Sequence, residues 1–197
     1  KKLYRFNGGT MTKILVTGGG GYVGNVLCRH LLDKGYRVKC VDNFHKGQCD
    51  AIIPLATNPN FEFEYGDVTV PEQMKEAIVG CDAIIHLAAI VGFPACKSQP
   101  ALATAVNVDG TKNVLEYCID KKVESILMFS SSEVYGTPRP DKIPTKEESV
   151  PLSTLIAVLA KMYLTSLQVK SGLASSIKAT TPEIIGAADE VPAISVV

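Results

Sequence analysis

The sequence predicts an α/β fold, a doubly wound parallel sheet with helices on both faces. Three observations lead there. Short β-like apolar runs alternate with segments of helical periodicity along most of the chain, a pattern that buries strands between helical layers. Four consecutive glycines stand between the first such strand and the first helix. The remaining polar motifs fall at the carboxyl ends of strands or on a helix facing that edge, where a doubly wound sheet takes its ligand.

In order, KILVT (13–17) reads as the first strand, and Val23, Leu27 and Leu31 then recur at helical spacing, with Gly35 as the C-cap glycine. RVKCVD (37–42) is the second strand, followed by a polar loop. FEFEYGD (61–67) alternates as the third, and Thr69 with Glu72 reads as a T-x-x-E capping box for a short helix ending near Gly80. AIIHLAA (83–89) is a buried strand, residues from about 100 to 121 form a long helix, and SILMFSS (125–131) is another central strand. A loop rich in Pro and Lys, a helix over roughly 153–170 and a strand at SSIKATT (175–181) complete the alternation.

At 197 residues and 46% hydrophobic, the chain is long enough for one domain with its own core. Twenty basic residues offset twenty acidic ones, which leaves no electrostatic footprint for nucleic acid or an anionic membrane. The run AIIHLAAIVGFPA carries a His and a Pro and is too short to span a bilayer. Residues 1–10 lack an apolar signal core and read as an N-terminal extension, leaving a single domain over 11–197. A cytoplasmic location is expected. The six cysteines include no C-x-x-C pair and sit mostly among apolar neighbours, so they read as reduced thiols. His86 has no second His or Cys at metal spacing and reads as a satisfied histidine; no metal site is expected.

Gly19, Gly21 and Gly24 satisfy G-x-G-x-x-G, and Gly18, Gly21 and Gly24 satisfy G-x-x-G-x-x-G. Absent side chains permit the tight turn and let a pyrophosphate approach the backbone, where the helix offers free N–H groups. The pattern follows a strand and opens a helix, the context that makes it a Rossmann-type dinucleotide site. Asp42 ends the second strand eighteen positions after Gly24, where a carboxylate accepts from an adenosine ribose and repels a 2′-phosphate. NAD is therefore favoured over NADP, with Lys46 nearby as the counterweight.

In sum these motifs resemble the extended short-chain dehydrogenase/reductases, specifically the NAD-dependent sugar-nucleotide epimerase/dehydratase group. The resemblance covers about Lys13 to Lys161 and rests on TGGGGYVG (17–24), VDNF (41–44), GDV (66–68), HLAA (86–89), NVDGT (107–111) and SSSEVYG (130–136), in that order. It implies that Gly18, Gly21, Tyr22, Val23 and Gly24 hold the pyrophosphate, and that Asp42 and Asn43 take the adenosine ribose. Asp67 and Val68 would meet the adenine, Leu87, Ala88 and Ala89 would line the nicotinamide side, and Asn107 would support the local backbone. Ser131, with Ser132 as alternate, matches the catalytic Ser/Thr. Glu133 resembles the acid/base of the dehydratase and decarboxylase branches, a solvated loop residue being the plain alternative. Tyr135 belongs to the V-Y-G turn. The implied partner is a nucleotide-sugar, and the implied assembly a homodimer packed through the helices near 100–121 and 153–170; the apolar run LIAVLA suits that interface and core packing alike.

The chain departs from the family at Y-x-x-x-K. Lys161 is in place to hold the nicotinamide ribose, but four positions earlier stands Ala157, which has no titratable group. Tyr163 lies two residues beyond Lys161, about 200° around a helix, and cannot substitute. An engineered variant, a naturally inactive relative and a mechanism with Glu133 as base all fit. The substrate lobe expected beyond this point is mostly absent, so the chain reads as a fragment or as a reduced form. Two functions stay open: a transient hydride transfer to bound NAD, with Glu133 tilting it towards elimination, or a non-catalytic NAD-binding module. A simple carbonyl reductase is a third.

Overall fold

The computed structural model describes residues 12–46, 49–121, 123–129, 141, 143 and the backbone of the strand at 193–196. Among the described residues six strands form one sheet: β1 (Lys13–Thr17), β2 (Arg37–Asp42), β3 (Phe61–Tyr65), β4 (Ala83–His86), β5 (Ser125–Met128) and β6 (Ala193–Val196). Their order is β3-β2-β1-β4-β5-β6 and every pairing is parallel. The sequence expectation of a doubly wound parallel sheet holds. Strand order reverses between β1 and β4, which opens a crevice above their carboxyl ends.

The two faces of the sheet follow from strand alternation. Ile14, Val16, Val38, Cys40, Ala83 and Ile85 pack against Cys28, Leu31 and Leu32 of α1 (Tyr22–Asp33). Leu15, Val41, Ile84 and Ile126 face the other way, against Met74 and Ala77 of α2 (Pro71–Ala77) and Val114, Leu115 and Cys118 of α5 (Thr111–Asp120). Leu15 and Val16 are wholly buried, one in each layer. Gly35, at φ +84°, takes the left-handed position just past α1 and donates to Leu32 O at 2.9 Å, as its reading as a C-cap glycine expects.

Several expectations are corrected. The strands read as 61–67, 83–89 and 125–131 end at Tyr65, His86 and Met128. Thr69 and Glu72 make no capping box: the N-cap of α2 is Val70, and the Thr69 hydroxyl donates to Asp67 Oδ1 at 2.7 Å. The single helix expected over about 100–121 is preceded by a separate short α3 (Phe93–Ser98). It runs as α4 (Pro100–Thr104), a π-helical stretch (Ala105–Gly110) and α5. The polar loop after β2 contains two 3₁₀ turns, Cys49–Ala51 and Ile53–Leu55; Ile52 between them and Leu55 of the second join the α1-side core. The helix at 153–170 and the strand at 175–181 lie outside the described residues. Among the cysteines, Cys28, Cys40, Cys81 and Cys118 are buried as expected, whereas Cys49 is exposed.

Candidate cofactor site

A trench of about 890 Å³ runs along the carboxyl ends of the strands at the reversal point. Gly18, Gly21, Tyr22, Val23, Gly24, Asp42, Asn43, Asp67, Val68, Leu87, Ala88 and Ala89 all line it. Asn107 stands behind the lining and acts on it through Ile90. Ser131, Glu133 and Lys161 lie outside the described residues, as do Ser132, Tyr135, Ala157 and Tyr163.

The floor is the glycine loop, and it is tight. A Cβ on Gly18, which sits at φ +71°, would come within 2.7 Å of Ala88 N. One on Gly24 would strike the Gly18 carbonyl, and one on Gly20 would meet the Phe44 ring at 2.6 Å. Gly21 forms the N-cap of α1 and presents no side chain, so the helix's first N–H groups face the trench without cover. Such a cradle fits the pyrophosphate of a dinucleotide.

At the end of β2, Asp42 ties the loop down. Its Oδ2 accepts from Gly20 N at 2.9 Å and its Oδ1 from Phe44 N at 2.7 Å. Each oxygen retains a lone pair for a hydroxyl of the ligand. Phe44 turns into the left-handed region at φ 51°, uncommon for a bulky side chain. That turn lays its ring beneath Gly20 and stacks it on Phe63, centroids 5.2 Å apart. Asn43 Nδ2 donates to Asp67 Oδ2 at 2.8 Å, linking the ends of β2 and β3. Burial works against the Asp67 carboxylate, but the N–H and hydroxyl of Thr69 and the Asn43 amide outweigh it and hold its pKa below the ordinary value.

The opposite wall is a polar network beneath Leu87–Ile90. Thr17 Oγ1 lies 2.7 Å from His86 Nδ1, and His86 Nε2 lies 3.0 Å from Thr111 Oγ1. Thr111 donates to the Asn107 carbonyl at 2.8 Å. Asn107 Oδ1 accepts from Ile90 N at 2.7 Å, and its Nδ2 donates to Ile90 O at 2.9 Å. Leu87 N and Ala88 N both point at Thr17 Oγ1, at 3.3 and 3.4 Å. His86 is thus the satisfied histidine the sequence suggests, and burial lowers its pKa to about 4. Among the described residues no group of three metal-ligating side chains occurs, and no helix is long and apolar enough to cross a membrane.

Sequence reasoning missed several lining residues. Ile90, Val91, Leu102, Val106 and Phe129 add apolar lining, and His45 and Asp50 add polar lining beside the Lys46 already noted. The i, i+4 spacing of Leu102 and Val106 was a legible hint; nothing in the sequence singled out Asp50.

A glycine cradle at a strand-order reversal, with an acid closing the neighbouring strand, defines a dinucleotide-binding α/β protein. The chain belongs to the NAD dependent epimerase/dehydratase family, whose model matches residues 14–181. It is similar to UDP-glucose 4-epimerase 3 of Oryza sativa subsp. japonica, 32% identical over 149 residues, covering 72% of this chain and 39% of that protein. UDP-glucuronic acid decarboxylase 1 of Arabidopsis thaliana is 37% identical over 127 residues, 64% of this chain and 28% of that one. Among solved structures, the dTDP-glucose 4,6-dehydratase DesIV of Streptomyces venezuelae, with NAD bound, superposes with a TM-score of 0.62 at 29% identity. That match covers 65% of this chain and 42% of DesIV. The chain spans under half the length of each of these relatives. NAD is the cofactor that the family and the cradle share.

Proposed function

We propose that this chain is the cofactor-binding part of an NAD-dependent enzyme acting on a nucleotide-sugar, of the epimerase/dehydratase type. The observation that carries the reading is the Asp42 carboxylate, held against Gly20 at 2.9 Å at the mouth of the cradle. That placement aims a fixed negative charge at the adenosine ribose, which accepts a pair of hydroxyls and disfavours a phosphate there. The bound NAD supplies a reversible hydride acceptor. Ser131 would hydrogen-bond the substrate oxygen, Lys161 would hold the nicotinamide ribose, and Glu133 would remove the proton next to the new ketone. Glu133 favours elimination over simple epimerisation. The helices near 100–121 and 153–170 would pair two subunits, and the protein would work in the cytoplasm.

Ala157 favours a second reading, an NAD-binding module without turnover, because a positioned acid–base group is worth about 10²–10⁴-fold in rate. Calorimetric titration with NAD and NADP, repeated on Asp42→Ala, tests the cofactor reading. Tight binding of NAD alone, relaxed in the variant, is expected; binding of neither dinucleotide would sink both readings. Turnover of UDP- and dTDP-sugars by the unaltered chain and by Ala157→Tyr then separates them. Activity that appears only with the tyrosine supports the module, whereas activity in both supports the enzyme.

A further inference from the structure

Val68 lines the trench and is buried, yet it follows β3, the edge strand among the described residues, where no outer strand holds it. Two contacts from one helix fix it instead. Asn113 Nδ2 donates to Val68 O at 2.9 Å. Gly110, three residues earlier on the same helical face, leaves room for the side chain: a Cβ there would lie 2.5 Å from Val68 Cγ2. One contact is polar and sets the carbonyl; the other is steric and sets the depth of the valine.

The same helix grips the other end of the trench through Asn107, whose amide takes both backbone groups of Ile90. In an unbroken α-helix, residues six apart lie about 240° around the axis from each other. Here Asn107 sits inside the π-helical stretch Ala105–Gly110 and Asn113 follows it in α5, so the wider turn changes that angle. A π stretch inside an α-helix often accompanies a functional site, and here it lets one rigid element reach both Ile90 and Val68.

We propose that Asn113, with Gly110 beside it, is a positioning residue for the adenine end of the cofactor trench, the counterpart of Asn107 at the nicotinamide end. This rests on the NAD reading, with Val68 beneath the adenine. Asn113 touches no cofactor atom; it sets the height and tilt of the Val68 peptide, and so the width of the slot beside Asp67.

The test compares affinities of the 197-residue chain for NAD and for AMP, which carries only the adenosine half. Asn113→Leu is expected to weaken NAD and AMP by one common factor, roughly three- to tenfold for a lost hydrogen bond. Asn107→Leu is expected to weaken NAD while leaving AMP unchanged. Unchanged AMP binding in Asn113→Leu would overturn the proposal, as would equal AMP loss in both variants, which marks general damage. Should Asn113→Leu fail to melt cooperatively, Asn113→Asp keeps the shape, removes the donor and carries the same comparison. Gly110→Ala, which presses on Val68 from the steric side, is expected to weaken AMP as well. Wild-type protein that binds neither ligand would overturn the NAD reading itself, an outcome distinct from all of these.

Discussion

Thr111 fixes the tautomer of His86. The Thr111 hydroxyl spends its proton on the Asn107 carbonyl, 2.8 Å away, so towards His86 Nε2 at 3.0 Å it can only accept. Nε2 therefore carries the imidazole hydrogen, and Nδ1 is left to accept from Thr17. The Thr17 oxygen is thereby free to receive the N–H groups of Leu87 and Ala88. A neutral chain of hydrogen bonds runs from the helix to the trench wall with every member satisfied.

Breaking it at Thr111 leaves a buried ring N–H without an acceptor. Thr111→Val keeps the shape and should cost about 1–3 kcal/mol, read from urea unfolding. Thr111→Ser keeps the hydroxyl and should fall near the natural protein. Equal stability in both variants would contradict the assigned tautomer.

The same ring makes stability depend on pH. Burial lowers the folded pKa of His86 from the ordinary 6.5 to about 4, so the unfolded chain takes up the proton first. Its contribution is present in full above 6.5 and is lost as pH falls towards 4, worth about 3 kcal/mol in all. Across that window the natural chain should lose stability faster than His86→Gln, by up to about 1.4 kcal/mol per pH unit. Parallel curves would contradict a neutral buried histidine.

Two glycines should respond in opposite ways to a methyl group. At Gly24 the new Cβ strikes the Gly18 carbonyl and lies 2.6 Å from Gly19 Cα. Both are backbone atoms, so the cradle must move, and Gly24→Ala should abolish NAD binding in calorimetry. At Gly35 no atom lies within 4 Å, but φ is +84°. Gly35→Ala should therefore cost about 1–2 kcal/mol of stability and leave NAD affinity intact.

The thiols should differ in reactivity. Cys49 is exposed, while Cys28, Cys40 and Cys118 are buried. Burial pushes Cys118 up to about 12, and the hydrogen bond with Cys28, then burial, raises Cys40. Alkylation of the native chain at pH 8, followed by mass spectrometry, should mark Cys49 and spare those three until the protein unfolds.

Much of this was legible in the sequence, for physical reasons that can be named. Ile14–Val16 and Ile84–Ile85 announce buried strands because both their faces are covered. The glycine loop and Asp42 announce the cradle because few other residues tolerate that backbone. What stayed hidden was competition among polar groups. Thr69 looked like a cap, but Asp67 lies two residues away and captures both its N–H and its hydroxyl. Leu87 and Ala88 looked like strand, but only Leu87 N still reaches the Thr17 carbonyl, at 3.0 Å, while Ala88 N turns to the Thr17 hydroxyl. Phe44 carries no sign of its left-handed turn, and Pro94 at the start of α3 was the sole hint of that helix.

The contact between Thr17 and His86 joins residues 69 positions apart, and Thr111 enters 25 positions later still. During synthesis the glycine loop leaves the ribosome before the opposite wall, which does not exist until β4 has docked on β1 and the helix carrying Asn107 and Asn113 has followed. Long-range strand pairing of this kind is slow, because loop closure precedes any gain from the contact. Because Gly18 itself packs against Ala88, NAD can reward only folding that has already closed the sheet.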